Sequence, residues 1–491
     1  MGIRFGTDGW RAVIAREFTY GNVRKVTQAI ADYLNAQPRK APSEQRGRRV
    51  THNPVKLLRS NGTGAIRLIV GYDSRFMSEV YAKLAAEVLA ANNISVSLVN
   101  KPTPTPAISL AIKRKKFDGG MIVTASHNPP IFNGIKFKTY LATSADQDTT
   151  GKIEKLIGKN NPKILDIEKA KSEGMVDMVD VAADYIAFIR SFVDIDRIRQ
   201  ARSKVLIDYM HGAGTGYLEA ILGKIWPGIE SIRGNVDPLF GGINPEPIPK
   251  NLEYASKYMK KNKFDLAVAL DGDADRIGAL RPDGRFIASG QIISLILLHF
   301  IENRHLSGDV AKTISGTTLI ERICKRYNLT MFETPVGFKH ISALMLKENI
   351  LIGGEESGGI GFCGYIPERD GMLSALLLME MLSYRKKSIP VIMRDMDRQY
   401  GRFYYSRIDM KYPVKKAGPL IDRLKRNPPR TIAGKKLLRL KAYDGIKFIL
   451  EDSSWLLLRS SGTEPLIRIY AEAGSDKGVN MLLERGRKML K

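Results

Sequence analysis

Four short runs of residues carry side chains whose types and spacing could do chemistry. The first is Thr124-Ala125-Ser126-His127-Asn128-Pro129, directly after the apolar run Met121-Ile122-Val123. A small polar loop at a strand end is where α/β proteins place ligands, so Ser126 is a candidate exposed nucleophile with His127 beside it. Adjacent residues need not face one another, and the Gly-x-Ser-x-Gly elbow of hydrolases is absent, so spacing alone leaves a plain turn open. The second run is Asp271-Gly272-Asp273-Ala274-Asp275-Arg276, after the apolar residues 266–270. Three carboxylates at alternate positions can converge on one hard cation, Mg²⁺ or Ca²⁺. The EF-hand pattern fails, because its sixth and twelfth positions hold Arg276 and Pro282 instead of Gly and Glu. Without a cation, carboxylates this close in a sheltered site would repel, and the alternative is a solvated acidic turn.

The third run is Gly353-Gly354-Glu355-Glu356-Ser357-Gly358-Gly359. Its glycines let backbone approach a ligand, Glu can accept bonds from hydroxyls, and Ser can accept and donate. The fourth is Arg459-Ser460-Ser461-Gly462-Thr463-Glu464-Pro465. It offers a guanidinium, three hydroxyls and backbone N–H groups, the parts of a phosphate cradle, without the Gly-Lys-Ser/Thr ending of a Walker loop. Either run alone could be an ordinary turn. Together, a hydroxyl nucleophile, a hard-metal site, a hydroxyl-reading loop and a phosphate cradle are the parts of sugar phosphoryl transfer.

These loops need a frame. Residues 66–70, 94–99, 120–124, 205–208, 266–270 and 351–353 read as strands, and 21–36 and 79–91 as helices. Strands separated by helix-length segments predict α/β units with largely parallel sheets. The C-terminal part differs. Residues 436–440, 447–450, 455–458 and 466–470 are closely spaced strand candidates, followed by a helical stretch at 477–490, which predicts a small α+β domain. Boundaries near 167, 279 and 398 give four domains: 1–166 with the Ser126 loop, 167–279 with the acidic loop, 280–397 with the glycine-rich loop, and 398–491 with the phosphate loop. Residues 37–64, with Pro38, Pro42, Pro54 and several Gly, Ser and Arg, read as an exposed insertion in the first of these.

Of the 491 residues, 44% are hydrophobic and 26% charged, ordinary for a globular protein able to bury a large core. The two cysteines, Cys324 and Cys363, have no metal-knuckle spacing and fit a reducing compartment as inert thiols. The first residues show no apolar signal segment, and the longest apolar stretches, 292–301 and 372–382, are too short to span a bilayer. A cytoplasmic enzyme without a membrane partner is expected. The formal charge of +26 invites a nucleic-acid hypothesis, but no zinc-finger spacing, RRM signature or aromatic-basic stripe supports one. A solvated basic surface that steers small anions is the reading preferred.

In these motifs and their order the sequence resembles the α-D-phosphohexomutase superfamily. The resemblance runs from Phe5-Gly6-Thr7-Asp8-Gly9 to Tyr470. The Ser-His-Asn-Pro and Asp-Gly-Asp-x-Asp-Arg motifs are its most specific parts, and the insertion and the basic surface are its departures. It implies three related α/β domains and a smaller α+β domain around one cleft. It implies that Ser126 is a phosphoserine, and that Asp271, Asp273, Asp275 and a phosphoserine oxygen hold Mg²⁺, with Arg276 nearby. Arg11, His127 and Lys136 match basic residues around the transfer site, Lys136 within Asn133-Gly134-Ile135-Lys136. Glu355, Ser357, Gly337 and Lys339 match sugar-binding positions, and Arg459, Ser461, Gly462 and Thr463 the phosphate cradle.

Gly-Glu-Glu-Ser resembles the phosphoglucomutase form of the sugar loop more than the Gly-Glu-Met-Ser of bifunctional phosphomannomutases or the Gly-Glu-Gln-Ser of phosphoglucosamine mutases. Residues 334–339 and 366–371 resemble the same branch. The expected reaction interconverts glucose 1-phosphate and glucose 6-phosphate through a glucose 1,6-bisphosphate intermediate, in a monomer or dimer. The alternatives are a phosphomannomutase or dual enzyme, a glucose 1,6-bisphosphate synthase, a metallophosphatase, and, from another class, a basic nucleic-acid-binding protein on a mutase scaffold.

Overall fold

The computed structural model describes residues 3–6, 8–37, 65–223, 226–460 and 465–490. Most of the expected insertion, 38–64, lies outside the described residues, as do Ser461, Gly462 and Thr463. The chain forms two compact units, one built from residues 1–286 and 360–383, the other from 287–359 and 384–491.

The first unit holds two sheets. In the first, strands β1 (Trp10–Val13), β2 (Ile66–Tyr72), β3 (Ile94–Val99), β4 (Gly119–Val123), β5 (Phe132–Thr139) and β6 (Val176–Val179) lie in the order β1-β5-β4-β2-β3-β6. The pairs β2–β3, β2–β4 and β3–β6 are parallel, while β4–β5 and β1–β5 are antiparallel. The central strands are buried on both faces, which explains why Ile-Arg-Leu-Ile-Val-Gly-Tyr in β2 reads as a nearly continuous apolar run. The helix Ser78–Ala91 packs on β2, β3 and β4 and buries Leu84, Val88 and Leu89. Full burial of each such aliphatic side chain contributes roughly 1.5–3 kcal/mol.

The second sheet has strands β7 (Val205–Asp208), β8 (Ile229–Ile232), β9 (Leu266–Leu270) and β10 (Ile277–Leu280), in the order β10-β9-β7-β8, with the two-residue strand β11 (Phe286–Ile287) beside β10. Parallel pairing of β7 with β8 and β9 and antiparallel pairing of β9 with β10 make it mixed.

The second unit begins with the helix Ser289–Glu302 and the parallel strands β12 (Asp309–Thr313), β13 (Met331–Thr334) and β14 (Ile350–Gly354), with β12 in the middle. The chain then returns to the first unit for β15 (Ile360–Phe362) and most of the helix Gly371–Arg385. The last sheet is wholly antiparallel, with β16 (Tyr404–Lys411), β17 (Thr431–Ile432), β18 (Lys435–Lys441), β19 (Ile446–Leu450), β20 (Trp455–Ser460) and β21 (Leu466–Ala473) in the order β16-β21-β20-β19-β18-β17. The helix Asp476–Met489 covers one face with Val479, Leu482 and Leu483. This arrangement agrees with the expected α/β units followed by an α+β domain. Cys324 is buried, which pushes its thiol up to about 12 and leaves it inert as a nucleophile.

Candidate active site

Strand β4 ends at Val123, and the chain turns into the serine loop. The Thr124 amide still donates to the Gly134 carbonyl of β5 (3.0 Å), and tighter turns follow, from Asn128 N to Ala125 O and from Phe132 N to Pro129 O. Ser126 is 1% exposed and sits at φ +51°, the left-handed region that non-glycine residues rarely adopt. Its Oγ donates to Asp271 Oδ2 at 2.8 Å and lies 3.3 Å from His127 Nδ1. Sequence spacing left the contact between these neighbours open, and the structure brings the two atoms together. Arg11 donates from Nη1 to Asn128 Oδ1 at 2.7 Å, within the same loop.

The three aspartates lie on the hairpin between β9 and β10. Ala274 takes φ +57° at its tip, and the Arg276 amide donates to Asp271 Oδ1 at 3.1 Å. One ligand-capable oxygen from each of Asp271, Asp273 and Asp275 falls within 4.8 Å of the others. All three residues are fully buried, so a solvated acidic turn does not describe this hairpin.

Buried carboxylates need partners. Lys136 on β5 supplies them: its Nζ donates to Asp273 Oδ2 (2.7 Å) and Asp275 Oδ2 (2.9 Å) and lies 3.0 Å from Asp8 Oδ2. Arg369 donates through Nη2 to Asp8 Oδ2 and Asp275 Oδ2, each at 2.6 Å. Arg276 is more distant, 3.9 Å from Asp271 and 3.8 Å from Asp275. Thr105 donates to Asp273 Oδ2 at 2.6 Å. Burial alone would raise the Asp273 carboxyl, but the Lys136 ammonium overrides it and holds the group below its ordinary range. Asp8 follows the same balance, held low by Lys136 and Arg369. Asp271 goes the other way, raised by burial and by the charges of Asp275 and Asp273.

Two carboxylate oxygens, Asp273 Oδ1 and Asp275 Oδ1, are buried with no hydrogen-bond partner among the described residues. Orphaned hard oxygens in a cluster this tight fit a divalent oxygen-seeking cation such as Mg²⁺.

The other candidate residues lie in the second unit. Strand β14 runs into the glycine-rich turn, closed by bonds from Glu355 N to Gly359 O and from Gly358 N to Glu355 O. Glu355 is buried, and Ser357 is half-buried. Glu356 Oε2 accepts from Ser315 Oγ (2.6 Å) and Thr313 Oγ1 (3.1 Å), which ties the turn to the end of β12. A pocket opens beside it, lined by Gln291, Lys312, Glu355, Glu356, Tyr405 and Glu472 among others. Gly337, at φ +126°, precedes the helix Phe338–Met345 that carries Lys339. Arg459 pairs through Nε with both oxygens of Asp444 (2.8 and 2.9 Å), and Asp444 accepts from the Val336 amide. The Gly337 segment and Arg459 are thus joined through one carboxylate.

Four domain profiles of one family match the chain in order: phosphoglucomutase/phosphomannomutase α/β/α domain I over residues 44–163, domain II over 183–284, domain III over 289–400 and the C-terminal domain over 423–488. A phosphoglucomutase/phosphomannomutase of Thermococcus kodakarensis is 30% identical over 100% of this chain and 99% of its own. The chain belongs to the phosphoglucomutase/phosphomannomutase family. As a phosphohexomutase it is an enzyme of the isomerase class. A crystal structure of a candidate phosphomannomutase from Thermus thermophilus superposes with a TM-score of 0.84 at 32% identity, covering 100% of this chain and 99% of its own. A Sulfurisphaera tokodaii phosphoglucosamine/phosphogalactosamine mutase is 28% identical over 100% of this phosphohexomutase and 99% of its own length. The relatives therefore differ in the sugar they are named for.

Several residues at this candidate site lie outside the four motifs, although Asp8 falls in the Phe5–Gly9 run and Arg369 in residues 366–371. Asp8 and Arg369 partner Lys136 and Asp275, Thr105 holds Asp273, and Asp73 and Arg75 bind the serine loop. Lys138 pairs with Glu368 beside them. Strand β5 carried one readable signal, two lysines two apart in Asn-Gly-Ile-Lys-Phe-Lys, which places both on one sheet face. No helix among the described residues is long and apolar enough to cross a membrane.

Proposed function

We propose that this phosphohexomutase interconverts glucose 1-phosphate and glucose 6-phosphate through a phosphoserine at Ser126. The observation that carries this reading is Ser126 Oγ, held in a buried left-handed turn 2.8 Å from a three-carboxylate cluster with two orphaned oxygens. Asp271, Asp273 and Asp275, with a phosphoserine oxygen, would hold Mg²⁺. Bound there, the cation would supply charge neutralisation for a transferring phosphoryl group.

Phosphoryl transfer asks a protein for alignment and electrostatic stabilisation more than covalent help. Ser126 gives its phosphoryl group to the free hydroxyl of the sugar phosphate, forming glucose 1,6-bisphosphate. The bisphosphate turns over and returns its other phosphoryl group to Ser126. His127, Arg11 and Lys136 supply positive charge around the transferring oxygens, and His127 Nδ1 is within reach of the Ser126 proton. Arg276 stands beside the carboxylates. Glu355 and Ser357, with Gly337 and Lys339, read the sugar hydroxyls in either orientation. Arg459, Ser461, Gly462 and Thr463 hold the phosphate that is not being transferred. The domain limits 1–166, 167–279, 280–397 and 398–491 assign one loop to each domain.

Glucose is favoured by the Gly-Glu-Glu-Ser loop. Dual use of mannose phosphate is the second reading, favoured by the name of the Thermococcus relative and by the small difference between C2 epimers for a site that reads other hydroxyls. The test is turnover of glucose, mannose and glucosamine 1-phosphates with Mg²⁺ and a trace of the matching bisphosphate, with Ser126→Ala alongside. Ser126-dependent turnover fastest on glucose supports the reading. Turnover confined to another sugar, or release of inorganic phosphate or free bisphosphate as the product, rejects it.

A further inference from the structure

The loop that carries Ser126 is gripped by a residue outside all four motifs. Arg75 follows β2 in Asp73-Ser74-Arg75, and its side chain is fully buried. Its Nη2 donates to the carbonyls of Ser126 and Asn128, both at 2.6 Å. Its Nη1 donates to those of Pro129 and Phe132, at 2.9 and 3.0 Å. Nε lies 3.2 Å from Asp73 Oδ2, and the Phe240 ring covers the guanidinium with its centroid 4.9 Å from Cζ. Asp73 also accepts from Thr124 Oγ1, which in turn accepts from the Ser126 amide at 2.8 Å. The amide and the carbonyl of Ser126 are therefore both tied to one buried ion pair. Only a planar guanidinium can present this many donors in a fixed fork. A serine in the left-handed region persists where its surroundings over-determine it, and this pair does so.

We propose that Arg75 is a positioning residue for phosphoryl transfer: its guanidinium, anchored by Asp73, fixes the 126–132 loop so that Ser126 Oγ keeps its aim at the carboxylate cluster. This rests on the reading of Ser126 as the phosphoryl carrier. In-line transfer is sensitive to displacements of about 1 Å, which can cost on the order of 100-fold in rate. The residues proposed to read the sugar and its second phosphate lie on other loops, so binding should be spared.

The test compares wild type, Ser126→Ala, Arg75→Lys and Asp73→Asn by steady-state kinetics, by the rate of Ser126 phosphorylation from glucose 1,6-bisphosphate, and by thermal melting. Arg75→Lys keeps the charge and loses the fork. It should lower kcat and the phosphorylation rate about 100-fold with KM changed by less than about 3-fold. Asp73→Asn keeps Arg75 but weakens its anchor and should lower both rates about 10-fold. It carries the test if Arg75→Lys does not fold. A folded variant with wild-type rates, or a loss carried wholly by KM, overturns the proposal. So does a failure of both variants to fold, which would make the pair structural. If wild type shows no turnover that Ser126→Ala abolishes, the phosphoserine reading itself fails, a result distinct from wild-type turnover that Arg75→Lys leaves intact.

Discussion

Gly272 has no side chain, and a Cβ there would fall 2.5 Å from the Ser126 carbonyl oxygen and 3.2 Å from Pro245 Cγ. The glycine between two candidate metal ligands is thus what lets the acidic hairpin lie against the serine loop. Gly272→Ala should displace Ser126 and lower kcat by about 100-fold, which steady-state kinetics beside a thermal melt would show. Asp273 faces a different balance. Asp273→Asn removes one of three carboxylates around the buried Lys136 ammonium, and breaking such a pair costs about 3–5 kcal/mol. The variant should unfold at lower urea and bind Mg²⁺ more weakly by titration calorimetry. At this scale the proposed reacting groups were legible, because Ser126 and the three aspartates each fall within one short run of chain. Their partners were not. Asp8, Arg75 and Arg369 reach the site from separate stretches of chain, and although Asp8 and Arg369 lie in segments that carry the family resemblance, no spacing ties any of the three to Ser126 or the aspartates.

Strands β2, β3, β4, β7 and β9 were legible because largely buried strands leave short runs rich in Val, Ile and Leu. Their ends were less so. Thr124 reads as strand, but its hydroxyl serves Asp73 and the Ser126 amide, so β4 stops one residue earlier. Strand β5 was missed because Asn133, Lys136 and Lys138 make it look solvated, although all three are buried. In the second unit, β19 buries another lysine. Lys447 donates to the Ile314 carbonyl at 2.6 Å and sits 3.9 Å from the centroid of the Trp455 ring. Burial and the nearby Lys312 ammonium push it down to about 7, against the opposing pull of Glu333, Glu321 and Glu472. An unfolded lysine keeps its proton to about pH 10.4, so between about 7 and 10 the unfolded chain binds more protons. Stability contributed by this group therefore rises with pH across that window. Urea midpoints of wild type and Lys447→Met, measured from about pH 7 to about 9.5, should show a steeper rise for wild type. Parallel curves would contradict the assignment.

Over the whole molecule, 77 lysines and arginines against 51 acidic residues leave a formal charge of +26, which the proposed catalytic cluster does not require. Such a field raises encounter rates with anions and is screened by salt. Raising ionic strength from low to physiological levels should lower kcat/KM for a sugar phosphate several-fold with little change in kcat. Equal falls in both would point to a different origin. Fold class was legible because strands alternate with helices through most of the described chain, and a run of antiparallel strands follows only near its C-terminal end. Choice of sugar was not, because in the proposed site it would rest on a few atoms in the 353–359 turn and the 334–339 segment. Ser126 is proposed as the carrier of the phosphoryl group. The most direct measurement is tandem mass spectrometry of the protein after brief incubation with Mg²⁺ and glucose 1,6-bisphosphate, followed by a chase with glucose 1-phosphate. With ¹⁸O-labelled bisphosphate, one labelled phosphoryl group is expected on Ser126, and the chase should pass that label into glucose 6-phosphate while Ser126 is phosphorylated again. A protein that turns over the sugar while Ser126 stays unmodified, or is modified elsewhere, would contradict it.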